Sequence, residues 1–150
     1  MTKNAFTMIE VVFVIVILGI LAAIAVPKFA ATRGDALIAK GRSNVASIRS
    51  GIITERQSRL IKGISSFIPN GTGTYTKNGS TYNQMDHGGL FGGVLMYPIS
   101  PSTGNDGWSA GATSGTYIYK IGGSSNTFTY TPSDGKFLCT SGNECDKLTK

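Results

Sequence analysis

A single acid interrupts the most apolar stretch of this chain. Between Phe6 and Val26, a run of 21 residues, Glu10 is the only ionisable side chain. A carboxylate in mid-bilayer hydrocarbon costs about 2.5–3.5 kcal/mol on insertion scales, so it needs a partner or a task. Other reactive residue types are sparse. His87 is the only histidine and stands in Met85-Asp86-His87-Gly88-Gly89, where Asp86 is too close in sequence to orient it. There is no Gly-x-Ser-x-Gly elbow, no Cys/His pair in context and no cluster with metal-ligand spacing, so the pattern predicts no enzyme and no catalytic residue. Cys139 and Cys145 read, in an exported chain, as one disulfide closing a seven-residue loop. Such a loop is worth roughly 2–2.5 kcal/mol on the chain-entropy account. Two thiolates alone fall short of a structural zinc site. Hard oxygen donors gather in Ser102–Trp108, where Asn105 and Asp106, joined by Asp134, are candidate calcium ligands. The competing reading is an Asn-Asp-Gly turn that packs Trp108 into the core. No other cofactor is expected.

The elements that carry these residues follow from periodicity. Phe6–Val26 is long enough to cross a bilayer as a helix. Pro27 removes one hydrogen bond and predicts a bend there. Beyond it, Val45, Ile48 and Ile52, then Leu60, Ile64 and Phe67, recur within each group in steps of three and four, the stripe of a helix buried on one side. Arg42, Arg49, Arg56 and Arg59 fall largely off that stripe, and Gly34 and Gly41 are points where the helix could bend. Its end is expected near Lys62-Gly63, with Pro69-Asn70-Gly71 a firm stop. From Phe6 such a helix would run about 85 Å at 1.5 Å per residue, too long to be covered by one small head.

Asn78-Gly79 signals a hairpin turn, and Gly88–Leu95 a loop with apolar plugs rather than a phosphate cradle. Residues 116–121, 127–131 and 136–139 alternate and are rich in β-branched and aromatic types, with turns at Gly122–Asn126 and Pro132–Gly135. The fold class is α+β: a long N-terminal helix, transmembrane in its first half and amphipathic in its second, packed against a small antiparallel sheet. The expected segments are 6–27 transmembrane helix, 28–67 amphipathic helix and 68–150 globular β head with a C-terminal disulfide loop.

The short polar leader with its lysine, the Phe6-Thr7-Met8-Ile9-Glu10 string, the apolar run with Gly19, and Pro27 resemble the N-terminus of type IV pilins and of type II secretion pseudopilins. Ala5 stands where that family usually has glycine, and Met8 where it usually has leucine. The resemblance implies that 1–5 is a prepilin leader and 6–27 also the polymerisation helix, and that a prepilin peptidase cuts between Ala5 and Phe6 and methylates the new Phe6 amine. That amine then lies four residues from Glu10, and can neutralise the Glu10 carboxylate of a neighbouring copy and set axial register. It further implies storage in the bacterial inner membrane, an assembly platform with its ATPase, and self-association into an extracellular pilus or a periplasmic pseudopilus. The calcium candidates gain interest because some major pseudopilins use a head-loop calcium site.

Charge bears on the remaining partners. Residues 28–62 hold eight Lys/Arg against Asp35 and Glu55, whereas from residue 63 onward there are five of each sign. The basic excess belongs to the helix, and the expected use is a solvated or inter-subunit face, with some cations meeting anionic headgroups, rather than nucleic acid. Lys3 before the span faces Lys28, Arg33, Lys40 and Arg42 after it, so charge alone would leave the C-terminal part in the cytoplasm. The resemblance implies the opposite orientation, with the head exported. The competing functional class is a stand-alone membrane-anchored binding protein, which predicts an uncut N-terminus and no fibre.

Overall fold

The computed structural model describes residues 6–69, 74–77, 80–83, 85 and 90–150. Helix α1 runs over Met8–Ile61. Strands follow at β1 (Thr74–Lys77), β2 (Ser80–Asn83), β3 (Gly107–Ala110), β4 (Thr116–Ile121), β5 (Ser124–Thr131) and β6 (Lys136–Ser141), then helix α2 (Cys145–Thr149). Met1–Asp35 and Ala36–Lys150 form two compact units.

The helix ends as its sequence predicts, and the geometry shows why. Gly63 takes a positive φ of 77°, which a side chain would resist. Its N–H donates to the Leu60 carbonyl and the Ile64 N–H to the Arg59 carbonyl, the paired bonds of a Schellman cap. Residues 62–67, assigned to the helix in the segment expected over 28–67, therefore lie beyond it.

In the second unit, four strands pair antiparallel in the order β3-β4-β5-β6, a meander. The three expected strands are present and β5 starts three residues early, at Ser124. Ile121 pairs with Ser124, so the turn is the two residues Gly122-Gly123, both at positive φ (56° and 86°), as a type I′ hairpin requires. The fourth strand, β3, was not anticipated. β1 and β2 pair in register Lys77↔Ser80 around the expected hairpin, whose Asn78-Gly79 turn lies outside the described residues.

Alternation puts Trp108, Tyr117, Tyr119, Phe128, Tyr130 and Phe137 on one buried face. Against it lie Val45, Ile48 and Ile52 of α1. Two stripe residues depart from expectation: Leu60 is 48% exposed, because the buried face of the helix ends at Glu55, and Ile64, 41% exposed, lies beyond the helix end. The helix face in contact is instead Gly41, Val45, Ile48, Ile52 and Glu55, all buried and spaced by three and four. Gly41 is the seat of this face rather than a weak point: a Cβ there would collide with the Tyr119 ring and Leu148. Gly51 likewise admits the backbone of Val94. Leu90, Phe91 and Val94 plug the core, and Phe91 meets Trp108 edge-on at 5.4 Å.

Candidate functional site

The N-terminal segment is built from its cap upward. Thr7 precedes the first helical residue, and its Oγ1 accepts the Glu10 N–H at 3.3 Å. Its carbonyl accepts the N–H groups of Glu10 and Val11. Thr-x-x-Glu is the capping-box signature, so the string Thr7-Met8-Ile9-Glu10 starts the helix and places the acid in its first turn. There the carboxylate lies near the positive end of the helix dipole. This role for Thr7 was legible in the spacing and was missed.

Phe6 and Glu10 are four residues apart on one side of the segment. With Val11, Val14 and Ile15 they line a shallow hollow of about 240 Å³. Side chains from Phe6 to Val26 are exposed, Ala25 alone being half-buried. The 18-residue window of highest mean hydropathy, 3.1, is 0% buried within the chain. The helix is thus long and apolar enough to cross a membrane. Helix α1 continues through Pro27, whose nitrogen has no hydrogen to donate. Ala5 and His87 lie outside the described residues.

The basic stretch of α1 has a use that sequence reasoning missed. Arg42, Arg49 and Arg56 recur every seven residues, each one position after a buried residue. Arg42 donates from Nε and Nη2 to the Lys147 carbonyl at 3.0 and 2.8 Å, capping α2. Arg49 Nε donates to the Phe137 carbonyl of β6 at 3.1 Å. The Arg56 guanidinium lies 3.9 Å over the Phe67 ring. Arg59 holds Ser66 through its carbonyl and hydroxyl, tying down the segment after the helix. Arg42 and Arg49 thus reach from α1 to the head, while Arg56 and Arg59 hold the segment that follows the helix. The signal was the seven-residue spacing.

Cys139 and Cys145 are joined as a disulfide, with Cα atoms 5.5 Å apart. The bond ties β6 to α2, whose Leu148 is buried beside Gly41. Asn126, fully buried, serves the same corner: Nδ2 donates to the Tyr119 carbonyl and Oδ1 accepts the Glu144 N–H.

The calcium candidates are not brought together. Asp106 Oδ1 accepts the Gly122 N–H at 2.6 Å and the Asn105 carbonyl accepts the Gly123 N–H, so both brace the turn before β5. Asp134 lies in the turn after β5, where it accepts the Lys136 N–H and pairs with Lys136 Nζ at 2.9 Å. Lys136 holds the Asp134 carboxyl below the usual carboxylate range. The length of β5 separates the two acids. Among the described residues, no group of three His, Cys, Asp or Glu side chains could hold a metal ion. The alternative reading of the turn accounts for the geometry, since Trp108 is buried.

A long apolar N-terminal helix joined to a small antiparallel sheet is the α+β layout of a pilin-like protein. Residues 1–26 match the family described as the prokaryotic N-terminal methylation motif. This is the prepilin-type leader segment of type IV pilins and pseudopilins, so the terminus of this chain is of that kind. No solved structure matches the chain.

Proposed function

We propose that this chain is the structural subunit of a type IV pilus-like fibre. The reading is carried by the methylation-motif match falling on a helix long and apolar enough to cross a membrane. The prepilin waits in the inner membrane with its head outside the cytoplasm. A prepilin peptidase cuts between Ala5 and Phe6 and methylates the Phe6 amine. An inner-membrane platform and its ATPase then lift the subunit, and Phe6–Val26 leaves lipid for a bundle of identical helices.

Lipid is already apolar, so transfer to the bundle gains far less than the 1.5–3 kcal/mol that burying each Leu or Ile side chain gains from water. Axial register therefore depends on a directed contact, and the Glu10 carboxylate meeting the Phe6 amine of a neighbour supplies it. Capping by Thr7 holds Glu10 in a defined first turn for that contact. Pro27 lets the helix bend where the apolar run ends.

The Cys139–Cys145 bond leans to the surface pilus, because pseudopilins often lack the disulfide, although its loop is shorter than major surface pilins often carry; the alternative is a pseudopilin of a periplasmic secretion fibre. The test is intact-mass and N-terminal analysis of protein from its native host. Loss of Met1–Ala5 with a methylated Phe6 is the expected result, and an intact Met1 would overturn the reading in favour of a plain membrane anchor.

A further inference from the structure

The second unit carries an apolar groove and, on the other side of its helix, an exposed aromatic tip that matches it. The groove is a hollow of about 230 Å³ between α1 and β6, lined by Arg49 and Ile53 of the helix and by Asp134–Leu138. Ile53 and Leu138 are about half exposed. Among the described residues, Arg49 is held only through its Nε, so the two Nη groups of its planar cation stay open to a further contact. Its heptad neighbour Arg56 shows what such a guanidinium accepts in this molecule, a ring lying 3.9 Å away. An aromatic face over a guanidinium is an electrostatic match, negative quadrupole on positive charge.

The tip is Met96-Tyr97, exposed at 85% and 81%. Every other aromatic side chain in 90–150 is buried. It cannot reach its own groove. The tip is pinned by the Leu95 N–H on the Phe91 carbonyl and the Ile99 N–H on the Leu90 carbonyl. The preceding Val94 backbone sits against Gly51, whereas the groove opens at Arg49 and Ile53. Gly51 and Ile53 point roughly 160° apart around a helix of 3.6 residues per turn.

We propose that Met96-Tyr97 of one copy docks in the Arg49–Ile53–Leu138 groove of a second copy, with the Tyr97 ring on the Arg49 guanidinium. Knob and hole lie on different faces, so the contact is heterologous and propagates instead of closing. Its size fits that role. A buried tyrosine removes about 150–250 Å² from water, so a knob of two residues falls well short of the roughly 1,200 Å² of a stable free-standing interface. The heads alone therefore stay monomeric, and the contact forms once the N-terminal helices hold neighbours at high effective concentration. The proposal rests on the fibre reading above.

The experiment places a photo-crosslinking benzoylphenylalanine at position 97 of the full chain in its native host. Fibres are sheared, irradiated and digested. The expected product is a dimer-sized adduct joining position 97 to the peptide containing Arg49 and Ile53, or to that containing Leu138. In parallel, Tyr97→Phe should assemble normally, while Tyr97→Ser, processed and disulfide-bonded as usual, should lower fibre recovery about tenfold, the behaviour of an interface anchor. Fibres that form with no adduct at either peptide, or undiminished by Tyr97→Ser, overturn the docking and leave the fibre reading standing. Absence of fibres from the unaltered chain overturns the fibre reading and the docking with it.

Discussion

Glu10→Gln keeps the size of the side chain and its place behind the Thr7 cap while removing its charge. If the carboxylate meets a neighbour's Phe6 amine, the substitution strands that amine, and breaking such a buried pair costs about 3–5 kcal/mol per contact. Processed subunits should then accumulate in the membrane with few or disordered fibres, scored by electron microscopy of sheared material. Normal fibres would remove Glu10 from the register role.

The buried tyrosines give a second test at this scale. Tyr119 and Tyr130 donate their hydroxyls to the Leu37 and Ile68 carbonyls at 2.8 and 3.0 Å. Burial pushes both phenols up, with Asp106 adding to the shift at Tyr119 and Tyr130 reaching about 12. A raised folded-state value means stability that is complete below the ordinary phenol pKa near 10 and lost as pH climbs toward 12. Thermal unfolding of the full chain in detergent should therefore show Tm falling above about pH 10, and Tyr130→Phe should flatten that fall.

At the scale of elements, the predictions concern how the head is fastened to α1. Converting Cys139 and Cys145 together to serine should destabilise the head by roughly 2–2.5 kcal/mol, the loop-closure figure, read as a denaturant midpoint shift at constant slope. Gly41→Val drives a side chain into Tyr119 and Leu148 and should cost about 1–3 kcal/mol on the same measurement, whereas the same change at Gly34, which has open space around it, should cost much less.

The elements were mostly legible in the sequence. Strands β4, β5 and β6, the glycine stop after Ile61 and the Asn105–Gly107 turn follow from local periodicity and turn chemistry. Strand β3 was not, because Gly107–Ala110 holds a glycine and two small residues around Trp108 and gains strand character only by pairing with β4. The end of the buried stripe was equally hidden. Leu60 and Ile64 continue the helical period, yet period alone cannot say where the sheet stops covering the helix.

For the whole molecule, the leading expectation is chemical: a mature chain beginning at Phe6. Replacing Ala5 with a bulky residue such as leucine should block cleavage, leave full-length protein in the membrane and abolish fibres, read by mass and by shear fractionation. Much of this reading was written in the first 27 residues. An acid in an apolar run, a Thr-x-x-Glu cap and a proline at its end are local features, and local chemistry survives without any fold. The cysteine pair was legible for the same reason, since six residues of separation leave the two thiols few other partners.

What only the tertiary structure decided are the contacts between residues far apart in the chain. Gly41 seats Tyr119, the arginines at 42, 49 and 56 reach a helix end, a strand and a ring, and Asp106 and Asp134 fall at opposite ends of β5. The contacts of Gly41, Arg42 and Arg49 depend on the register of the sheet against the helix, and the separation of the two acids on the pairing of the strands. Register is set by the summed packing of the aromatic face, a property that no single stretch of sequence contains.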